Sequence, residues 1–531
     1  MSVTSHTGHG VPLAGARFAA FASGISPFIL ALAVGLSGLL AYVMVITDGN
    51  IMVGGVFIGL VAVVAITVYR VDLGFTIFIF LVLFFDQYDI PGFPTFTTEV
   101  GFFLNLNAIP WMPKIDQGVI TPMEIQLFLI FGVWFMTALF RGSFDLSAVP
   151  LKGPMTLLYL AIIGALVYGL ARGGDAIISL WETRALFYMG MMILFVPQVI
   201  KTENQLRVLI WGVIAGVSAK AFQGAYRFAS FGFSFGRWPN ILETFTNHED
   251  PVFMVTLVIF LLALLLLGEK GPQRQALLWL LVPMVLGYVA AQRRAAYASF
   301  MASLTAFIVL IPAKQRKTIL IALGVFAVFF SMYLAVFWNS YSRLGSIAQQ
   351  FKATVTDEGG VRGEKDLKST AYRKIENYNL AQTFIGSPAI GIGFGRKYEK
   401  VMTLWGSGFA LGDYVAHNQI LWIFVQMGTV GAFCFWLFFN SYVFRGAMVF
   451  AAMTDPYLKA LCAMCVIAVV NQLVVSFVDM QLTYYRNMVY LGMMMGLVPV
   501  LQRLDISRRN AAGDAAMAQA STVASPVGEA A

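Results

Sequence analysis

Cysteine, histidine and charge are all scarce in this chain. It has three cysteines, Cys434, Cys462 and Cys465, and each falls inside a long apolar run. Cys462 and Cys465 give one Cys-x-x-Cys spacing, with no second pair and no histidine nearby. That argues against a zinc or redox centre and leaves them as small apolar packing residues. Charged residues make up 12% of the 531 positions and hydrophobic ones 59%. Mean hydropathy is +0.77. These values exclude an ordinary soluble domain. No run alternates with the period of two that a membrane barrel needs. No internal repeat is visible, so the signature of many transporters is missing. The net charge of +8 sits largely in short loops and the tail. There it orients helices and is no argument for nucleic-acid binding.

What is present is a series of apolar runs, each near the ~20 residues that cross a bilayer as a helix. They fall at about 26–46, 51–69, 72–86, 122–140, 155–172, 178–200, 206–228, 252–268, 276–291, 295–312, 318–337, 418–440, 457–479 and 485–502. The expected fold is all-α: a polytopic integral membrane protein with about fourteen transmembrane helices. The first run is too long for a signal peptide and lacks a convincing cleavage site, so it is expected to remain as a span.

Positive charge sets orientation. With both termini cytoplasmic, every inner segment carries a cation: Arg17; Arg70; Arg141 and Lys152; Lys201 and Arg207; Lys270 and Arg274; Lys314, Arg316 and Lys317; Arg445 and Lys459; Arg503, Arg508 and Arg509. The expected organisation is a cytoplasmic tail (1–25) and N-terminal membrane helices (26–204) with an outer loop at 87–121. A membrane region (205–502) with a large outer loop at 338–417 follows, then a disordered tail (503–531).

Four features lie on the outer face: the loop 87–121, the segment 229–251, a tight turn with Gln292-Arg293-Arg294, and the long segment 338–417. Arg293 and Arg294 stand where positive-inside statistics disfavour them. They either snorkel to lipid phosphates or bind a phosphorylated substrate, whose oxygens match the guanidinium fork. Arg373 precedes Gly391-x-Gly393-x-Gly395. That glycine run lacks the strand and helix context of a nucleotide loop and reads as a tight turn leading back to the membrane. His417, one of only four histidines, sits with Asn418 at the mouth of an apolar run. Asn418 is a good N-cap, and a histidine beside one is often structural. An imidazole there can also transfer protons. Glu182 and Arg184 lie within an apolar span and each needs a partner. Further candidates for the acceptor or the cavity are His248, Glu249 and Asp250, and near the last outer turn Asp479, Tyr485 and Arg486. No Asp-x-Asp occurs on the outer side. Asp86-x-x-Asp89 and Glu249-Asp250 come nearest and read as interfacial loop carboxylates, so no metal and no cofactor are expected.

The order of these pieces matters more than any one of them. Gln292-Arg293-Arg294-Ala-Ala-Tyr is followed by a long outer loop with an arginine before Gly-x-Gly-x-Gly. Then come Ala416-His417-Asn418-x-x-Leu421 and Gly428-x-x-Gly431. Over roughly residues 205–500 this resembles the O-antigen ligase and polymerase superfamily of bacterial inner-membrane glycosyltransferases. The resemblance implies metal-independent transfer of a glycan from an undecaprenyl-diphosphate carrier to an acceptor hydroxyl at the periplasmic face. The acceptor would be another lipid-linked glycan or lipid A-core, and the product exopolysaccharide or lipopolysaccharide. Export machinery for polysaccharide is an implied partner. By motif position His417 would be the general base, and Arg373 with one or both of Arg293 and Arg294 would hold the diphosphate.

The residue chemistry agrees independently. A neutral imidazole can accept a hydroxyl proton as the new bond forms, and arginines stabilise charge developing on a diphosphate leaving group. The competing reading is a non-enzymatic transporter or flippase of lipid-linked glycans. It would need charged or helix-breaking residues midway along several spans, whereas here the unusual charges collect on one face.

Overall fold

The computed structural model describes residues 27–89, 95–109, 119–142, 145, 149–231, 244–291, 293–340, 345, 347–348, 351–352, 356, 363–404 and 411–523. Among them all regular structure is helical, with no strand. The chain divides into two compact units, Met1–Tyr69 and Arg70–Ala531.

The first unit is a hairpin of α1 (Pro27–Ile46) and α2 (Ile51–Tyr69). Its turn uses positive φ at Asp48 (51°) and Gly49 (76°). The helices pack on each other, and most of their described side chains stay exposed. Such surfaces suit lipid and not water.

In the second unit the chain runs through α3 (Val71–Phe84), α4 (Phe96–Glu99), α5 (Pro122–Arg141), α6 (Lys152–Ala171), α7 (Ala176–Val199) and α8 (Glu203–Ser230). It continues through α9 (Asp250–Leu266), α10 (Pro272–Ala290), α11 (Arg294–Leu310), α12 (Ala313–Phe337) and α13 (Gly363–Gly386). The last three are α14 (Gln419–Ala452), α15 (Pro456–Ser476) and α16 (Tyr485–Val523). Several starts are dictated locally. Thr121 and Glu124 form a capping box at α5, as Thr202 and Gln205 do at α8. Asp175, Asn418 and Asp455 cap α7, α14 and α15. Each satisfies amides that have no partner within the helix.

Helix α15 is the centre of this unit and packs against α9, α11, α14 and α16. Its spanning stretch is 83% buried, whereas that of α12 is 6% buried. A helix apolar all round belongs either in the middle of a bundle or in lipid, and α15 and α12 take these two places. Each expected apolar run coincides with a helix. Among the described residues, 8 helices are long and apolar enough to cross a membrane, and 5 shorter apolar helices accompany them. This is a multi-pass membrane protein, and length and composition support fewer crossings than the expected fourteen or so.

Two expectations change. The long segment 338–417 contains the 24-residue helix α13. The tail after residue 503 continues α16 as far as Val523. Ala-rich sequence favours helix, and Arg508 binds Asp455 and Glu203 while Arg509 pairs with Asp505 at 3.1 Å.

The glycine run also does more than turn the chain. α14 breaks at Gly428 (φ 65°, ψ −171°), and residues 388–395 fill the break. Ile392 N donates to Val425 O (2.8 Å) and Gly393 N to Gln426 O (3.0 Å). Thr429 N donates to Pro388 O (2.8 Å) and Val430 N to Ala389 O (3.2 Å). A Cβ on Gly428 would lie 2.3 Å from Ala389 O, and one on Gly393 2.4 Å from Gly169 Cα in α6. Glu182 of α7 accepts from Gly395 N (2.5 Å) and Gln426 Nε2 (3.2 Å). The two glycine motifs are therefore halves of one junction, and Glu182 is its internal acceptor.

Candidate active site

The residues with chemical potential gather where one set of helix ends meets. His248 precedes α9. Arg293 immediately precedes α11 and Arg294 is its first residue. His417 and Asn418 lead into α14, and Asp479 lies between α15 and α16. Helix α13 supplies Thr370, Arg373 and Glu376, spaced three apart and so on one face. Helix N-termini favour negative charge, and those of α9, α11 and α14 are here.

Local contacts fix the imidazole of His417. Trp422, wholly buried, donates its Nε1–H to Tyr414 O (2.8 Å). Asn418 accepts from Leu421 N (3.0 Å), so the capping role falls to Asn418. Glu376, 1% exposed, accepts from the His417 backbone N–H (3.0 Å) and lies 3.1 Å from its ring Nδ1. The Tyr372 ring packs edge-on to the imidazole at 5.6 Å. With Nδ1–H directed at the carboxylate, Nε2 keeps a lone pair. Among the described residues no protein group bonds to that nitrogen.

The arginines crowd the same helix ends. Arg373 has Arg293, Arg294, Asp479 and Glu376 as electrostatic neighbours, and burial together with the two arginines lowers its proton affinity. No hydrogen bond to the Arg373 guanidinium occurs among the described residues. Arg294 reaches Thr370 Oγ1 at 3.3 Å. Arg293 donates to His248 Nε2, and its own Nε is buried without a partner. Burial works against the charge of Asp479, yet His248, Arg293 and Arg373 outweigh it and hold this carboxyl below the usual range. Burial and Arg293 lower the proton affinity of His248, with His417 near enough to add to the effect and Asp479 opposing. Gln419 ties the Asp479 segment to α14, donating to Thr483 Oγ1 (3.0 Å) and accepting from Leu482 N.

The structure thus brings His417, Arg293, Arg294, Arg373 and His248 together, and adds Glu376 and Asp479. It does not bring Glu249, Arg486 or Arg184 to that surface: each is buried and held in an ion pair inside the bundle. Arg486, 0% exposed, bonds Glu249 at 3.1 Å and Asp250 at 2.9 Å, and also the carbonyls of Val82 (2.9 Å) and Leu83 (2.8 Å). Lys220 pairs with Asp86 at 2.6 Å, and Asn247 donates to Asp86 at 2.5 Å. Asp86 and Glu249-Asp250 are therefore buried ion-pair partners and not interfacial loop carboxylates. Arg184 pairs with Glu124 at 3.2 Å and lies over the rings of Trp181 (3.9 Å) and Tyr485 (4.6 Å). Cys462 and Cys465 are fully buried in α15 as packing residues.

Glu376 escaped the sequence reading because it sits in a polar helix, where a carboxylate looks solvated. Its spacing of three from Arg373 was the available signal.

Residues 279–436 match the family described as O-antigen ligase. The match supports the resemblance to the O-antigen ligase superfamily over that part of the chain. It spans Arg293, Arg294, Arg373, Glu376, His417 and both glycine motifs, and leaves out His248 and Asp479. No curated protein matches the chain.

Proposed function

We propose that this protein transfers a glycan from an undecaprenyl-diphosphate carrier to an acceptor hydroxyl at the periplasmic face of the inner membrane. It acts as an O-antigen ligase or as an exopolysaccharide polymerase. The supporting observation is the pairing of unmet donors with a free base. The half-buried Arg373 has no hydrogen-bonded partner among the described residues and shares its surroundings with Arg293 and Arg294. The His417 imidazole held by Glu376 stands beside them. Crowded guanidinium groups need an anion of more than one charge, and a diphosphate supplies it.

In the proposed reaction the acceptor oxygen attacks the anomeric carbon from the side opposite the diphosphate, which inverts the configuration. His417 Nε2 takes the hydroxyl proton as the C–O bond forms. Glu376 stabilises the resulting imidazolium through Nδ1–H. The anomeric C–O bond to phosphate breaks, and its electron pair leaves with the lipid diphosphate, where the arginines meet the growing charge. No step requires a metal.

Purified protein supplied with a defined lipid-diphosphate glycan and candidate acceptors is expected to form product with chelator present. His417→Ala and Arg373→Ala are expected to abolish it. Loss of activity in chelator would overturn the metal-free mechanism. In cells either variant should accumulate donor on the outer leaflet; accumulation on the inner leaflet would identify a flippase instead.

A further inference from the structure

His248 is an electrostatic neighbour of His417, but its bonding is different. Both of its ring nitrogens are engaged. Nδ1 lies 3.1 Å from Asp479 Oδ2 and 3.4 Å from Oδ1, and Nε2 meets Arg293 Nη2. A guanidinium only donates, so Nε2 is the acceptor. An ionised carboxylate only accepts, so Nδ1 carries the proton. The polarity runs one way, from Arg293 through the imidazole to Asp479. An imidazole whose lone pair is committed to a guanidinium is not available to deprotonate a hydroxyl.

Both ends of this relay are anchored. Asp479 also accepts from Met480 N (2.9 Å) and Gln481 Nε2 (3.3 Å). On the other side His248 is flanked by residues that the buried ion cluster fixes. Asn247 bonds Asp86, Asn247 N donates to Asp250 Oδ2 (3.0 Å), and Glu249 and Asp250 grip Arg486.

We infer that Asp479 and His248 are positioning residues that hold the Arg293 guanidinium ready for the diphosphate of the lipid-linked donor. The assignment rests on the transferase reading above. Its physical logic is the difference between orienting a cation and neutralising it. A carboxylate in direct contact with Arg293 would bind it more tightly but would compete with phosphate. A neutral imidazole supplies a strong acceptor with no charge, so Arg293 is held in place while its positive charge remains for the ligand. Restraint is needed because Arg373 and Arg294 repel Arg293 until an anion lies between them. Arg293, Asp479 and His417 are charged or titratable groups that face His248; burial with Arg293 and His417 lowers its proton affinity, and Asp479 opposes. On acidification the ring becomes a donor, repels Arg293, and the relay opens.

The test is donor binding without turnover: purified protein in nanodiscs, with a fluorescent polyprenyl-diphosphate disaccharide and no acceptor. His248→Ala is expected to weaken binding about tenfold or more, the range for a lost bond to a charged group. His248→Gln should bind within about threefold of the parent, since its amide can donate to Asp479 and accept from Arg293. His248→Gln should also lose the weakening of donor binding that the parent shows as pH falls through the titration of His248. At saturating donor its kcat should stay near the parent value.

Two results would overturn the relay: parent-like binding by His248→Ala, or a kcat for His248→Gln as low as that of His417→Ala. Arg373→Ala is the separate control. If it binds donor as tightly as the parent, the transferase site itself is misassigned; if it loses binding while His248→Ala keeps it, only the relay fails. Should His248→Ala not fold, the flattened pH response of His248→Gln decides, and an unchanged response overturns the relay.

Discussion

His248 and Glu249 are adjacent in the chain and belong to charged clusters of opposite character. Glu249, Asp250, Arg486, Asp86 and Lys220 form a closed set. Arg486 and Glu249 are each 0% exposed, and the cations are met by carboxylates or carbonyls. Arg293, Arg294, Arg373 and His417 form an open set, with donors unmet and a lone pair free among the described residues, and His248, itself engaged at both nitrogens, ties Arg293 to Asp479. The difference shows how to read charge inside a membrane protein. An ionisable residue in an apolar span is a functional candidate by default, yet one locked in a buried ion pair is architecture. The mark of a site is charge left over after the protein has met its own needs.

The largest effect separates the clusters by stability. Arg486→Ala strands two buried carboxylates and should destabilise the fold by about 3–5 kcal/mol, read as a collapse of the unfolding temperature in detergent. Arg373→Ala should leave that temperature near the parent value and remove donor use instead. Equal melting losses in both variants would erase the distinction between closed and open. A smaller effect sharpens the open cluster. Glu376→Gln keeps an acceptor for the ring but loses its charge, so the imidazolium forms less readily. The expected result is a fall in kcat of about tenfold or more, with KM for the donor little changed; a rise in KM alone would remove Glu376 from the base. The smallest effect lies outside both clusters. Gly428→Ala forces a Cβ to 2.3 Å from Ala389 O at φ 65°, and should lower stability by about 1–3 kcal/mol. Full parental stability would mean that the junction with residues 388–395 is not under tension.

Much of the helical layout was legible in the sequence, because the length of an apolar run is set by the thickness of the hydrocarbon layer. Where the apolar signal ends, the reading ended too. Helix α13 is polar and lies in what looked like a loop, so Glu376 had no visible neighbour. The resemblance located His417 and the arginines as motif pieces but gave no distances between them. Arg184 stood out as needing a partner, whereas Arg486 read as a residue of the cavity and is paired inside the bundle instead. Those partners, Glu124 and Glu249, lie 60 and 237 positions away, and only packing reveals which distant carboxylate closes a charge. The glycine run was legible as a turn, since positive φ requires glycine. Its docking into a broken helix was not, because the break at Gly428 and the run that fills it are separate in sequence.

That docking bears on how a bulky lipid-linked molecule gets in. The chain leaving α13 is riveted to three membrane helices by residues 388–395. It is tied back to α13 where Asn379 exchanges hydrogen bonds with Met402, both at 2.8 Å. Glu376 then fastens the same helix to the entrance of α14. Held at these points, the second half of α13 is anchored to the bundle, and under the proposed function the donor is expected to enter without that half swinging away.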